Sequence, residues 1–79
     1  MIRVLFFGPV AERVGKSEVQ VVFKAGMRLL DVREQLQVKY PAAFEIVCFT
    51  AVNGEHVLDM SLPLTEHSDV VFMSKFSGG

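Results

Sequence analysis

Apolar positions recur along this chain with two different periods, and each switch of period marks an element. Ile2-Arg3-Val4-Leu5-Phe6-Phe7 is rich in β-branched and aromatic residues and predicts a first strand. Ile2, Val4 and Phe6 share one face, with Arg3, Leu5 and Phe7 on the other. That second face is partly apolar too, so it asks for a covering element or a partner. Gly8-Pro9 ends the strand, and Pro9 suits the first position of a short helix, Pro9 to Val14, which Gly15 stops. Val10 and Val14, four apart, give that helix one apolar edge. After Lys16-Ser17 the alternation resumes in Glu18 to Phe23, with Val19, Val21 and Phe23 inward. The first two strands therefore form a hairpin with a helical turn in its loop.

Ala25-Gly26 breaks the second strand, and the period then lengthens to that of a helix. Leu29, Val32, Leu36 and Tyr40 fall on one face, while Arg33, Glu34, Gln37 and Lys39 point elsewhere. Asp31 and Glu34 near its start and Lys39 near its end suit the helix dipole, and Pro41 stops it. No Ser, Thr, Asp or Asn stands immediately before Leu29, which leaves its N-cap unassigned. Beyond a connector, Ala42 to Ile46, Val47 to Val52 predicts another strand. Asn53-Gly54 suits a two-residue type I′ turn that pairs this strand with Glu55 to Leu58. Asp59 to Leu64, with Pro63, reads as a loop or short edge segment, and Asp69 to Ser74 as the last strand.

The order β, short α, β, long α, β, β, β predicts an α+β fold of the β-grasp (ubiquitin-like) kind, a mixed sheet of four to five strands with one long helix packed on one face. The first and last strands, separated by a helix crossover, lie parallel in its middle. Residues 1–75 form this domain and residues 76–79 a flexible C-terminal diglycine tail.

At 79 residues the chain has little room for an enclosed catalytic pocket. A net charge of −1 gives no basic face for nucleic acid. Cys48 is the only cysteine, so no intrachain disulfide forms, which fits a reducing, cytoplasmic setting. Met1 leads straight into a strand pattern, with no signal peptide or transmembrane segment to suggest a membrane. What remains is the end, Phe76-Ser77-Gly78-Gly79, where nothing follows to close or cover it. Two residues without a Cβ enter a channel too narrow for other side chains, and four extended residues reach roughly 13 Å. A loose terminus has the same composition, so the end gains meaning only from the body that carries it.

The body supplies that meaning. Val4-Leu5-Phe6-Phe7, Ala11-Glu12-Arg13-Val14-Gly15, Ala51-Val52-Asn53, Leu64-Thr65-Glu66 ahead of Asp69-Val70, and terminal Ser77-Gly78-Gly79 together resemble the small subunit of molybdopterin synthase, a ubiquitin-like sulfur carrier. The resemblance covers essentially the whole chain. The short helix after the first strand favours this family over the shorter thiamine-type carriers, which typically lack it. The resemblance implies that a ubiquitin-activating-like enzyme, using ATP and magnesium at its own site, adenylates the Gly79 carboxylate. A persulfide from a sulfurtransferase or cysteine desulfurase then converts it to a thiocarboxylate, which donates sulfur to the pterin precursor to form the molybdopterin dithiolene. Gly79 is thus a consumed acyl carrier, and the chain itself binds no cofactor. The implied partner is the large subunit, in a heterotetramer of two large and two small subunits, gripping Gly78, Ser77, Phe76, Lys75 and Phe7. The alternatives are a thiamine-type or other sulfur carrier, and a non-carrier ubiquitin-like interaction or modifier domain.

This chain departs from the family in three places. Ser74 and Lys75 stand where the family has two prolines, so the stiffened approach to the tail is lost. His67 replaces a glycine before the last strand, and His tolerates a left-handed backbone. Arg28 replaces the usual Thr or Ser at the head of the long helix. Cys48, in a predicted strand, reads as a small buried hydrophobe, and His56 and His67 lack ligand spacing with it, so no metal site is expected. Phe72 and Met73 face opposite ways, so at most one is core and the other joins Leu5 or Phe7 in a docking patch. Phe76 either anchors the tail in a partner or folds back on the chain's own sheet. Lys75 either meets an acidic partner or stays solvated.

Overall fold

The computed structural model describes residues 1–75. Its elements are β1 (Ile2–Phe6), α1 (Gly8–Val14), β2 (Glu18–Val21), α2 (Leu29–Lys39), α3 (Pro41–Phe44), β3 (Val47–Val52), β4 (Glu55–His56) and β5 (Asp69–Ser74). The strands form one mixed sheet in the order β2-β1-β5-β3-β4. β1 and β5 run parallel at its centre, pairing Val4 with Val70 and Phe6 with Phe72, and the other pairings are antiparallel. This is the expected β-grasp arrangement.

One face of the sheet carries the core. Ile2, Val4, Phe6, Val70 and Phe72 are essentially inaccessible, and onto them pack Val10 of α1, Leu29, Val32 and Leu36 of α2, and Ala43 and Phe44 of α3. All the helices therefore lie on the same side. Phe72 is central to that packing. Its ring stacks on Phe6 at 6.3 Å and meets Phe44 edge-on at 5.0 Å. Aromatic pairs of this geometry each add about 0.5–1.5 kcal/mol to the gain from burial alone.

Several boundaries differ from expectation. Phe7 leaves β1 and becomes the extended N-cap of α1, so Pro9 occupies the second helical position. Val22 and Phe23 fall outside β2, and Val57 and Leu58 outside β4. Gly15 closes α1 with φ 85°, its N–H bonded to the Ala11 carbonyl. The connector after the long helix is itself helical. Pro41 does stop α2, but the same fixed φ lets it open α3, which buries Ala43 and Phe44. Asn53 and Gly54 both adopt positive φ, 52° and 84°, as a type I′ turn requires. The Asn53 side chain does more than tolerate that turn, because its Oδ1 accepts from the Asp69 N–H at 2.9 Å while its own N–H donates to the Asp69 carbonyl at 2.8 Å. The hairpin is thereby tied to the first residue of β5.

The start of α2 is satisfied from far away in sequence. Arg28 is the N-cap, but a guanidinium has no acceptor to offer the first turn. Instead the N–H groups of Leu29 and Leu30 donate to the carbonyls of Leu62 and Met60, at 2.9 and 2.8 Å, and Asp31 Oδ2 accepts from the Arg28 N–H. The segment read as a loop is thus the cap. His67 needs no left-handed backbone, since Asn53 is the only non-glycine with positive φ among the described residues. Its turn is held by the buried Ser68, whose Oγ accepts from the Thr65 N–H and whose own N–H reaches the Thr65 carbonyl.

A domain of this length carries roughly 4–12 kcal/mol of stability, and truncating a buried Phe costs about 3–5 kcal/mol. Phe72→Ala should therefore remove a large part of the unfolding free energy in a urea titration. Met73→Ala, on the half-exposed side of the same strand, should cost clearly less. In the capping loop, Asp59 Oδ1 accepts from Ser61 Oγ and from the Ser61 N–H, which holds its carboxyl below the usual carboxylate range. A lowered carboxylate pKa stabilises the fold above the unfolded-state value, and the gain is lost as pH falls through the folded-state value. The acid limb of a melting temperature against pH profile should accordingly flatten slightly in Asp59→Asn.

Candidate functional site

Because β1 and β5 are parallel, both strands end at the same edge of the sheet. Extending their register sets Phe7 level with Met73, one residue before the strand's last position, Ser74. Phe7, 47% exposed, and the exposed Lys75 therefore stand together where β5 leaves the domain. Of the expected site residues these are the two the structure places. Phe76, Ser77, Gly78 and Gly79 lie outside the described residues.

The face of the sheet opposite the helices has no covering element among the described residues. Leu5 pairs with Val71 and Val71 with Ala51, while Met73 pairs with Phe49. Phe72 is core and Met73 joins Leu5 on this outer face, as the alternation requires. Phe49 is 39% exposed and meets the His56 ring edge-on at 5.5 Å. An apolar surface thus runs from Phe49 and Met73 towards Phe7. At its other end Arg3 forks onto Asp69, with Nε to Oδ1 at 3.1 Å and Nη2 to Oδ2 at 2.9 Å. This pair raises the Arg3 pKa, first through the hydrogen bond and then through the carboxylate's charge, and gives the patch a polar limit.

On the helix side of the same edge, Pro9, Arg13, Glu45, Ile46, Cys48, Ser74 and Lys75 line an open groove of about 430 Å³. Arg13 braces its rim, donating to the Ala42 carbonyl at 2.9 Å and standing 3.7 Å from the Glu45 carboxylate. Cys48 is exposed here, which overturns its reading as a buried hydrophobe. Strict alternation would have aimed it inward with Thr50 and Val52. The register instead pairs Val47 with Ser74 and Phe49 with Met73, so Cys48 is the extra residue of a β-bulge and is displaced to the surface. Sequence reasoning missed both the bulge and Phe49, and no local signal marks the bulge.

Among the described residues no group of His, Cys, Asp or Glu is placed to hold a metal ion, and no helix is long and apolar enough to cross a membrane. A single-layer mixed sheet with a long helix on one face and its first and last strands parallel at the centre defines the β-grasp, ubiquitin-like fold. The same fold occurs in SAMP1 of Haloferax volcanii, 18% identical over 99% of this chain and 98% of that one, with a TM-score of 0.83. It occurs in a candidate molybdopterin converting factor, subunit 1, of Pyrococcus furiosus, 20% identical over 92% and 94%, TM-score 0.81. The small archaeal modifier protein 1 of Methanosarcina acetivorans is similar as well, 22% identical over 99% and 95%, TM-score 0.79. No curated protein matches the chain. The family model that does match is that of the ThiS family, over residues 4–79, and the chain belongs to that family.

If the bulge sets Cys48 outside, a maleimide should label it fully in the native protein without denaturant. A cysteine buried in the sheet would react only after unfolding.

Proposed function

We propose that this chain is the sulfur carrier of molybdenum cofactor biosynthesis and that its working group is the Gly79 carboxylate. The observation that carries this reading is the family match itself, which runs through residue 79 and so includes Gly78-Gly79. Helix α1 supports the molybdopterin type over the thiamine type, whose carriers typically lack that insert.

A carboxylate is a poor electrophile, so the cycle begins at a partner that joins Gly79 to AMP with release of pyrophosphate. A persulfide sulfur then displaces AMP, and cleavage of the resulting S–S bond by a thiol leaves the thiocarboxylate. Its sulfur attacks the pterin precursor, and hydrolysis of the acyl bond returns the carboxylate for another round. ATP and magnesium act at the activating enzyme in this scheme. The chain's own contribution is to be held and threaded. Phe49, Met73, Leu5 and Phe7 offer an apolar surface continuous with the strand that bears the tail, suited to the large subunit and the activating enzyme alike. Glycine at the last two positions lets the tail enter a narrow channel.

The likeness to proteins described as small archaeal modifiers favours one other reading, transfer of the activated Gly79 to a lysine amine. Both readings share the acyl adenylate, and the products differ in mass. Incubation with an adenylating enzyme, ATP and a sulfur donor should add roughly 16 Da at Gly79, oxygen replaced by sulfur. Isopeptide conjugates without that gain would decide for the modifier. Gly79→Ala should abolish sulfur delivery while leaving the melting temperature nearly unchanged. Parallel loss of folding would count against a chemical role.

A further inference from the structure

The two edges of the sheet differ. The β4 edge is only Glu55 and His56, whereas the β2 edge continues past its last paired residue. Burial alternates from Glu18 to Lys24, with Val19, Val21 and Phe23 turned to the core and Glu18, Gln20, Val22 and Lys24 exposed. β2 stops at Val21 because β1 starts opposite it at Ile2, so the neighbour runs out before the alternation does. The Phe6 N–H donates to the Ser17 carbonyl at 2.9 Å, and that bond sets the phase of the ladder. Ser17, Val19 and Val21 turn their backbone groups to β1, while Glu18, Gln20 and Val22 turn theirs to the open side. Among the described residues no strand lies beyond them. Edges of natural sheets are blunted by proline, bulges or inward-pointing charge. Residues 18–24 have none of these, and Val22 is 58% exposed.

We infer that this edge joins a second copy of the chain, β2 to β2, antiparallel about a two-fold axis at Val21. The occupant follows from the segment's complementarity to itself. In this register Val21 faces its own counterpart, Val19 faces the second copy's Phe23, Gln20 its Val22 and Glu18 its Lys24. Symmetry repeats each contact, so the seam holds two Glu–Lys pairs and an apolar row on the core face. Neither Glu18 nor Lys24 has an ion-pair partner within the chain among the described residues, and Arg3, across the ladder from Gln20, is already forked onto Asp69. The backbone phase agrees with the side chains. Gln20 and Val22 both turn their N–H and C=O groups outward and stand opposite each other in this register, so they exchange hydrogen bonds across the seam. Sliding the second strand by one residue sets outward groups against inward ones. Sliding it by two residues sets Lys16 against Lys24 in one direction and Glu18 against Gly26 in the other, and the charge pairs are lost either way. The pairing doubles the five-stranded sheet, and its seam lies two strands from β5, so it leaves the edge where β5 ends uncovered.

The inference is independent of the sulfur-carrier reading, and its test needs no other protein. Sedimentation equilibrium of the full chain, at concentrations up to about 1 mM, should show monomer exchanging with a species of twice 8.8 kDa. Glu18→Lys and Lys24→Glu should each weaken that dimer about tenfold, since two attractive pairs become repulsive, and the double variant should restore it. Val22→Pro removes an outward N–H that the monomer leaves unused among the described residues, so it should abolish the dimer while dilute protein keeps its melting temperature. A chain that stays monomeric throughout overturns the inference. So does a dimer that ignores the charge reversals, survives Val22→Pro or is not restored by the double variant, any of which moves the association to another surface.

Discussion

Parallel strands cannot be joined by a tight turn, and between β1 and β5 the connection is nearly the whole protein. Arg3 and Asp69 face each other across this pairing, 66 positions apart, yet the side chains of Val4, Phe6, Val70 and Phe72 on these two strands form the centre of the core. Every other element is placed by that junction. β2 pairs with one flank and β3 with the other, and the helices fill the single face on which these residues are buried. Loop closure over so long a stretch is costly, which is why the junction is apolar, aromatic and closely packed. The parallel sense also has a positional consequence. The strands end side by side, so α1, Phe7 and the last residues of β5 are gathered at one edge although they come from opposite ends of the sequence.

This economy of elements decides what the domain can do chemically. A sheet with helices on one face alone leaves a second face that is neither core nor fully polar. Its apolar residues Leu5, Val71, Met73 and Phe49 are paired across strands, so they form a continuous surface rather than scattered exposed side chains. The groove beside Ser74 and Lys75 is open as well. In the proposed function the domain presents its terminus, and the chemistry belongs to the proteins that receive it.

How much of this could be read from the sequence depends on the range of the interactions involved. Period and punctuation are local, and they located the strands, both helices flanking β2 and the Asn53-Gly54 turn. That Phe72 and Met73 face opposite ways followed from parity, and the structure decides that Phe72 is the core member. The misses are all cases in which a distant partner overrides a local rule. Arg28 cannot cap α2, but Met60 and Leu62 do, from a loop whose role is invisible in its own composition. Cys48 has inward parity until one added residue between Val47 and Phe49 breaks the register against β5. Pro41 stops one helix and starts another, and only the burial of Phe44 against Phe72 shows which property matters. That Phe7 and Lys75 stand at the edge where β5 ends was legible because the parallel crossover was legible. The groove was not, since it is made by α1, the α3–β3 connection and the bulge meeting in space.

The edge where β5 leaves the domain is a fork. On one side lie Phe7 and Met73 with the outer face, and on the other lie Pro9, Ile46 and Cys48 with the groove. The two surfaces share the last strand but not their lining residues, so a contact made on one does not occupy the other.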